Sequence, residues 1–220
     1  MIVVFGFLLA VVTVPLLGGK LTRLESVSFT KPWLITAAMI IQIPITTFAA
    51  GWFPEPVTAA IHLVTYLFAF AFVWFNKTHV GMIVLVIGAM CNFAAIGVNG
   101  GVMPASEWAT RTAGIEDSGD FMNSAVVEDA RLQFLGDVLA IPKGWPLANV
   151  FSIGDILLVL GGGYMLHWLS GSALFPKRHR DLVVSDFWAR FEAERENTER
   201  MIEVVEQSSL RTVTPEDQKV

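Results

Sequence analysis

The chain has 220 residues, of which 54% are hydrophobic and only 16% are charged, and its formal net charge is −5. Soluble domains carry about 25% charged residues, so this composition excludes an ordinary soluble globular protein. The single cysteine, Cys91, excludes an internal disulfide.

Five apolar stretches divide the first four-fifths of the chain, at residues 2–17, 34–53, 57–75, 82–98 and 151–169. Each is close to the length of about 20 residues that a helix needs to cross the bilayer core, which is about 30 Å thick. Of the 15 basic and 20 acidic residues, only Asp155 lies within one of these stretches. The sequence therefore predicts an all-α fold for residues 1–175, a polytopic membrane helix bundle of five transmembrane helices in contact with the lipid bilayer.

The distribution of lysine and arginine predicts how this bundle is oriented. The connection before the second span carries three basic residues, the third connection carries Lys77, and the tail begins with the basic run 177–180. Five spans place these segments on one side, and basic residues near span ends mark the cytoplasmic side. We expect the N-terminus outside, the C-terminus in the cytoplasm and, without a basic n-region or an A-x-A-like site, no cleaved signal peptide.

Residues 99–150 form an outer loop that is too long for a simple connector. It contains seven acidic and three basic residues, and it becomes apolar again over residues 132–142. That stretch is too short to span a bilayer. We interpret it as interfacial or re-entrant, and the whole segment as a lid over the outer face of the bundle.

The cytoplasmic tail, residues 176–220, is predicted to be helical from Ser185 or Asp186 to about residue 207 and disordered beyond. Apolar residues recur at helical spacing in its first turns, and charged residues dominate further along. The tail is a candidate docking site for a membrane or cytoplasmic protein partner, although a solvated charged face is the more usual explanation of such a pattern.

Polar residues inside the predicted membrane are the candidates for function. Asp155 lies about one turn into the fifth span, where a carboxylate normally faces a partner or a wet cavity because its burial costs a few kcal/mol. Other polar side chains lie at similar or neighbouring depth: His62, Asn92, Asn99, Gln42 and, from the outer loop, Asp137. We expect these residues to form a pocket under the lid for a cation, a proton or a small ligand.

Simpler interpretations of the same residues stay open. Asp155 can cap the start of its helix, where the helix dipole favours a negative charge. His62 can be an ordinary packing residue, and Gly136-Asp137 can be a turn. A shared pocket is therefore one hypothesis beside a purely structural use of each residue.

Motifs for catalysis or cofactor binding are missing from the sequence. The four histidines are scattered without metal-ligand spacing, and there is no nucleophile elbow, P-loop or dinucleotide fingerprint. Gly161-Gly162-Gly163 lies in mid-span, where small residues permit close helix contact or a kink. We expect no catalytic residue, no metal, no cofactor and no nucleic-acid partner.

Three short motifs carry a family resemblance: Asn99-Gly100-Gly101-x-Met103-Pro104, Leu135-Gly136-Asp137 and Ser152-Ile153-Gly154-Asp155. Together with Gly18-Gly19-Lys20-Leu21 and Gln42, they resemble an uncharacterised bacterial family of small multi-pass membrane proteins with a domain of unknown function, over about residues 2–169. The resemblance implies a location in the bacterial cytoplasmic membrane and places the motif residues on the outer face. It transfers no activity.

The sequence thus predicts a non-enzymatic integral membrane protein that binds a small ligand, a lipid or a partner at its outer face. The alternative is a small transporter or membrane enzyme that uses Asp155 for proton or cation chemistry. Transporters usually show internal repeats with paired broken helices, and this sequence shows no such repeat.

Overall fold

Helices dominate the computed structural model, which describes residues 2–47, 53–115 and 124–212. The α-helices of this part of the chain are α1 (Ile2–Leu16), α2 (Trp33–Thr47), α3 (Glu55–Asn76), α4 (Met82–Val98), α5 (Glu107–Ala113), α6 (Ile153–Leu169) and α7 (Lys177–Thr212). Four short strands accompany them: β1 (Met103–Pro104), β2 (Ser124–Ala125), β3 (Leu139–Ile141) and β4 (Asn149–Phe151). The mostly helical class is confirmed, and the strands are an addition that the sequence did not predict.

The apolar helices are unequal in length. Within the described residues, Pro56–Asn76 is the one helical stretch long and apolar enough to cross a membrane, with 21 residues. The helices α1 and α2 have 15 residues each, and α4 and α6 have 17 each, or about 22–26 Å at about 1.5 Å per residue. The structure therefore gives one full-length candidate span and four shorter apolar helices. Residues 48–52 of the predicted second span lie outside the described part of the chain.

Glycine contacts determine how the central helix pair packs. A Cβ at Gly88 would lie 2.8 Å from the carbonyl oxygen of Gly154, and a Cβ at Gly161 would lie 2.9 Å from the backbone nitrogen of Leu85. The helices α4 and α6 therefore approach each other more closely than larger side chains allow, as expected for Gly161. Helix α1 packs on the other side of α6, and α3 lies between α4 and α2.

One end of the bundle brings together the three connections that carry the predicted cytoplasmic charges. The backbone nitrogen of Lys20 donates to the carbonyl of Ser170 at 3.0 Å, and that of Ala173 donates to Leu17 at 2.8 Å. The buried Asn76 amide hydrogen-bonds both the N–H and the C=O of Thr30, each at 2.8 Å. These contacts place the connections at one end of the molecule.

The opposite end carries the segment after α4, here called the cap (residues 99–115 and 124–151). Strands β1 and β2 pair in parallel, and β3 and β4 form an antiparallel ladder from Leu139↔Phe151 to Ile141↔Asn149. Helix α5 packs against the ladder, where its Ala109 and Ala113 form a buried cluster with Val150 of β4. The stretch 132–142 contains a 3₁₀ turn (Gln133–Leu135) followed by β3, and pairing with β4 satisfies the backbone of β3 within the cap.

The tail helix differs from the prediction at both ends. Helix α7 begins at Lys177, before the predicted start at Ser185 or Asp186, and the carbonyl of Pro176, which directly precedes the helix, accepts from His179 N at 3.0 Å. Proline at a helix start is preorganised for the first turn. The helix continues to Thr212, five residues beyond the predicted end at about residue 207. The remaining predicted disorder, at 213–220, lies outside the described residues.

Candidate functional site

Asp155 is held at the start of α6 by a closed set of hydrogen bonds. Asn92 Nδ2 donates to Asp155 Oδ1 at 2.8 Å, and the backbone N–H of Ser152 donates to Asp155 Oδ2 at 3.2 Å. The Ser152 hydroxyl donates to Asn92 Oδ1 at 2.9 Å and accepts from the backbone N–H of Asp155 at 3.0 Å. Asn92 is 5% exposed and Ser152 is fully buried.

This arrangement is a capping box to which α4 contributes a third side chain. In a capping box the first residue and the residue three positions on satisfy each other's backbone N–H groups, as Ser152 and Asp155 do here. Asn92 extends the box across the interface between α4 and α6. The interpretation of Asp155 as a helix cap therefore has the geometry it requires, and Asn92, a second residue of the predicted pocket, hydrogen-bonds it.

Gly154 allows close contact between α4 and α6 at the start of α6. A Cβ built on Gly154 would overlap Oδ1 and Cγ of Asn92 and would lie 2.8 Å from the carbonyl oxygen of Gly88. The missing side chain is thus what lets the Asn92 amide reach the end of α6. Ser152 and Asp155 of the motif Ser152-Ile153-Gly154-Asp155 thus cap the helix, and Gly154 leaves the space that the Asn92 side chain occupies.

Asp137 is buried in the cap, in a part of the chain that precedes α6. Its side chain is 6% exposed and its Oδ2 accepts a short hydrogen bond from the Ser124 hydroxyl. Its backbone N–H donates to Pro104 at 2.9 Å, and its carbonyl accepts from Ser106 N at 3.1 Å. Burial raises the pKa of Asp137 from 3.8 to about 6, the hydrogen bond from Ser124 lowers that pKa, and the negative charge of Asp155 raises it further.

Asn99 fastens the cap to the end of α4. Its Nδ2 donates to the carbonyls of Ala95 and Arg131, each at 2.7 Å, and its Oδ1 accepts from Arg131 N at 2.9 Å. The glycines that follow turn the chain with φ of +71° and +95°, and a Cβ at Gly101 would overlap the Cβ of Ala59 on α3. Asn99 therefore has a structural partner in the cap backbone, at the edge of the predicted pocket.

His62 and Gln42 form a second polar cluster, between α2 and α3. Gln42 Nε2 and His62 Nδ1 are in hydrogen-bond contact, and the buried Thr65 hydroxyl lies 2.7 Å from Gln42 Oε1 and 2.6 Å from the carbonyl of His62. A cleft of about 210 Å³ opens beside them, and its walls are otherwise apolar. The residues that line it are Ala38, Met39, Gln42, His62, Thr65, Tyr66 and Ala69.

The residues of the predicted pocket thus belong to separate hydrogen-bonded clusters. Asn92 and Asp155 lie together, whereas His62 hydrogen-bonds Gln42. Tyr66 lies between these groups, with its ring 5.4 Å from the ring of His62 and 5.6 Å from that of Phe93 on α4. In the described part of the chain, no group of three or more His, Cys, Asp or Glu side chains is arranged to hold a metal ion.

Three residues of these clusters were missed by sequence reasoning. Thr65 is three residues after His62, so its place on the same helix face was available from helical spacing. Tyr66 also follows His62 at helical spacing. Ser124 carries no such signal, because its contact with Asp137 depends on the pairing of two strands of two residues each.

The fold and these clusters define a mostly helical protein with an apolar bundle, a cap at one end and a helical tail at the other. The chain belongs to DUF5317, a family of unknown function, whose pattern matches residues 26–166. The resemblance to an uncharacterised bacterial family is confirmed. The matched residues include Gln42 and the three motifs, while Gly18-Gly19-Lys20-Leu21 precedes them.

The curated relative that matches is an uncharacterized protein of Thermotoga maritima, 34% identical over 95 residues. The match covers 43% of this chain and 54% of the relative, so the chain spans about half the length of the curated relative it matches. No solved structure matches this chain.

Proposed function

We propose that this protein is a five-span protein of the bacterial cytoplasmic membrane that binds a small lipid-like ligand in the cleft between α2 and α3. The observation that carries the proposal is the cleft itself, where one hydrogen-bonded polar cluster lies within apolar walls. Its occupant is a molecule with an apolar body and one uncharged hydrogen-bonding group.

The outward faces of the shorter helices support membrane insertion. Large apolar side chains point away from the bundle and are more than half exposed: Val4 and Leu8 on α1, Ile40 on α2, Ile83 and Met90 on α4, and Leu160 on α6. A protein in water rarely exposes contiguous apolar surface of this extent. Helices shorter than the bilayer core are accommodated by local thinning of the bilayer, so lengths of 15–17 residues are compatible with spanning.

A labelling experiment tests the membrane topology. In a Cys91→Ala background, we expect Glu128→Cys in the cap to react with a membrane-impermeant maleimide in intact cells. Lys77→Cys at the opposite end should react only after the cells are permeabilised, because it lies with the basic connections. Both native side chains are exposed, so a difference in labelling between the two sites does not come from burial. Equal labelling of the two sites in intact cells would contradict the topology.

The shape and depth of the cleft support a lipid-like occupant. Its volume is about 210 Å³, and its lining includes Ala38 and Ala69, whose small side chains leave room between α2 and α3. The Gln42–His62–Thr65 cluster lies between α2 and α3, so a ligand group there exchanges hydrogen bonds with amide, imidazole and hydroxyl partners. Because polar groups in hydrocarbon need such partners, the cluster gives the ligand a defined position.

Photo-crosslinking tests the ligand proposal. A long-chain alcohol that carries a diazirine should label peptides of α2 and α3 around the cleft in the purified protein. Ala69→Phe fills the cleft and should reduce this labelling at least fivefold. Ala60→Phe is the matched control, because Ala60 is on the same helix, is exposed and does not line the cleft. Labelling spread equally over all outward helix faces, or unchanged by Ala69→Phe, would overturn ligand binding.

Chemistry at Asp155 has weaker geometric support. Both carboxylate oxygens accept hydrogen bonds that the α6 start and the Asn92 amide require, and a proton carrier must release such partners in each cycle. These hydrogen bonds favour helix capping for Asp155 over proton or cation chemistry. The proposed ligand site is therefore the cleft between α2 and α3.

A further inference from the structure

A second cavity lies at the end of the bundle opposite the cap. It has a volume of about 430 Å³, within the range of about 300–1,000 Å³ that is typical of small-molecule sites. We call it the inner pocket, and its lining includes Arg23, His79, Trp168, His179, Leu182 and Arg190. Four separate parts of the chain thus build it: the 3₁₀ turn after α1, the α3–α4 connection, the end of α6 and the tail helix α7.

Positive and neutral donors dominate this lining. It contains two arginines, two histidines and two serines against one carboxylate, that of Asp186. Arg190 Nε pairs with Asp186 at 3.1 Å, and Arg190 Nη1 donates to the carbonyl of Ser26 at 3.1 Å. A guanidinium has five N–H donors, so these contacts occupy only part of the donor capacity of Arg190.

Arg23 is held in place from the other side of the inner pocket. Its Nη1 donates to the carbonyl of Ser170 at 2.7 Å, and its own carbonyl accepts from the Ser26 hydroxyl at 2.7 Å. The ring of His179 lies 3.6 Å from that of Trp168, and its Nε2 is 3.2 Å from the Trp168 carbonyl. The basic groups therefore have defined positions before any ligand arrives, which lowers the entropic cost of binding.

We propose that the inner pocket binds a phosphate group, with Arg23 and Arg190 as its charged ligands. A planar guanidinium matches a phosphate with two parallel hydrogen bonds, and here two such groups come from different elements around one cavity. The phosphate can belong to a phospholipid head group or to a soluble phosphate compound. Basic pockets at the cytoplasmic ends of membrane helices suit anionic head groups, and the apolar Leu182 and Trp168 beside the arginines suit the attached glycerol and chain.

Calorimetric titration of the full chain in a neutral detergent tests the site with three probes: inorganic phosphate, dihexanoyl phosphatidylglycerol and dihexanoylglycerol, which lacks phosphate. We expect binding of the phosphate-bearing probes and none of dihexanoylglycerol. Binding of phosphatidylglycerol without inorganic phosphate identifies a lipid head group, and comparable binding of both identifies the phosphate itself. Equal binding of dihexanoylglycerol, or binding of no probe, overturns the proposal.

Variants on α7 separate a defined site from general positive charge. Arg190→Gln should weaken binding at least tenfold. Arg195→Gln is the matched control, since Arg195 is an exposed arginine of the same helix that pairs with Glu199 at 3.7 Å and lies outside the inner pocket. Its affinity should stay within twofold of wild type. Equal weakening by the two substitutions would show nonspecific attraction and overturn the site.

A third variant tests the cavity without changing charge. Leu182 lines the inner pocket and is 60% exposed, so Leu182→Trp should fill the space at little cost to folding. It should weaken binding of dihexanoyl phosphatidylglycerol at least fivefold, with an unchanged circular dichroism spectrum. Unchanged affinity in this variant would place the phosphate elsewhere on the surface.

Discussion

Replacing Gly154 by alanine should destabilise the protein by about 3 kcal/mol or more. The added Cβ would overlap the Asn92 side chain and lie 2.8 Å from the carbonyl oxygen of Gly88. Either α4 and α6 move apart or Asn92 swings away and leaves Ser152 and Asp155 without their partner. Both responses also disturb the capping box at the start of α6.

The measurement is unfolding of the detergent-solubilised protein by increasing fractions of sodium dodecyl sulfate, followed by circular dichroism and tryptophan fluorescence. Gly163→Ala is the matched control: it lies on the same helix, and its Cβ would meet the Cβ of Ala10 at 3.8 Å, an ordinary contact. Because alanine is the better helix former by about 1 kcal/mol, this variant should be as stable as wild type or slightly more so. Equal stability of the two variants would contradict the close packing at Gly154.

The contrast between Gly154 and Gly163 shows how much of the helix packing in the bundle could be predicted from the sequence. The five apolar stretches predicted the positions of α1, α2, α3, α4 and α6, because hydrophobic runs and helix ends are local properties. The sequence also suggested that small residues allow close helix contact. It could not indicate that Gly154 and Gly88 are the glycines that meet across the interface, since that depends on the rotation and register of two helices far apart in the chain.

The cap was less predictable for the same reason. Its strands have two or three residues each, too short for a periodic pattern to emerge. The apolar stretch 132–142 was interpreted as interfacial or re-entrant from its composition, and composition cannot indicate that part of it pairs with β4 as a strand. The tail was predicted as helical, and the error at its start came from underestimating Pro176 as a helix-starting residue.

The candidate residues fall into clusters that are defined by their hydrogen-bond partners. Residues of similar predicted depth therefore belong to different clusters. Asp155 and Asn92, both residues of the predicted pocket, are hydrogen-bonded, because they lie near the same end of two neighbouring helices. His62 was grouped with them by depth alone, yet α3 presents it to Gln42 on α2. Depth in a bundle follows from counting residues, whereas the face that a side chain occupies depends on which helices are adjacent.

Protonation of Asp137 should make the stability of the cap depend on pH. Burial raises the pKa of Asp137 from 3.8 to about 6, so between these values the folded protein binds a proton that the unfolded chain has released. Stability is therefore fully present below pH 4 and falls as the pH rises through about 6. The difference between the two pKa values corresponds to a loss of about 3 kcal/mol.

Asp137→Asn should remove most of this pH dependence, because the amide keeps an oxygen that accepts from Ser124 and cannot ionise. The variant should match wild type near pH 4 and exceed it in stability near pH 8, as measured by thermal unfolding in a neutral detergent. Asp129→Asn is the matched control: Asp129 is an exposed residue of the same cap, and asparagine tolerates its positive φ of 54°. A pH profile that Asp137→Asn leaves unchanged, or that Asp129→Asn alters equally, would show that the pH dependence has another origin, because a buried carboxyl that titrates near pH 6 must couple its own proton to the folding of the cap.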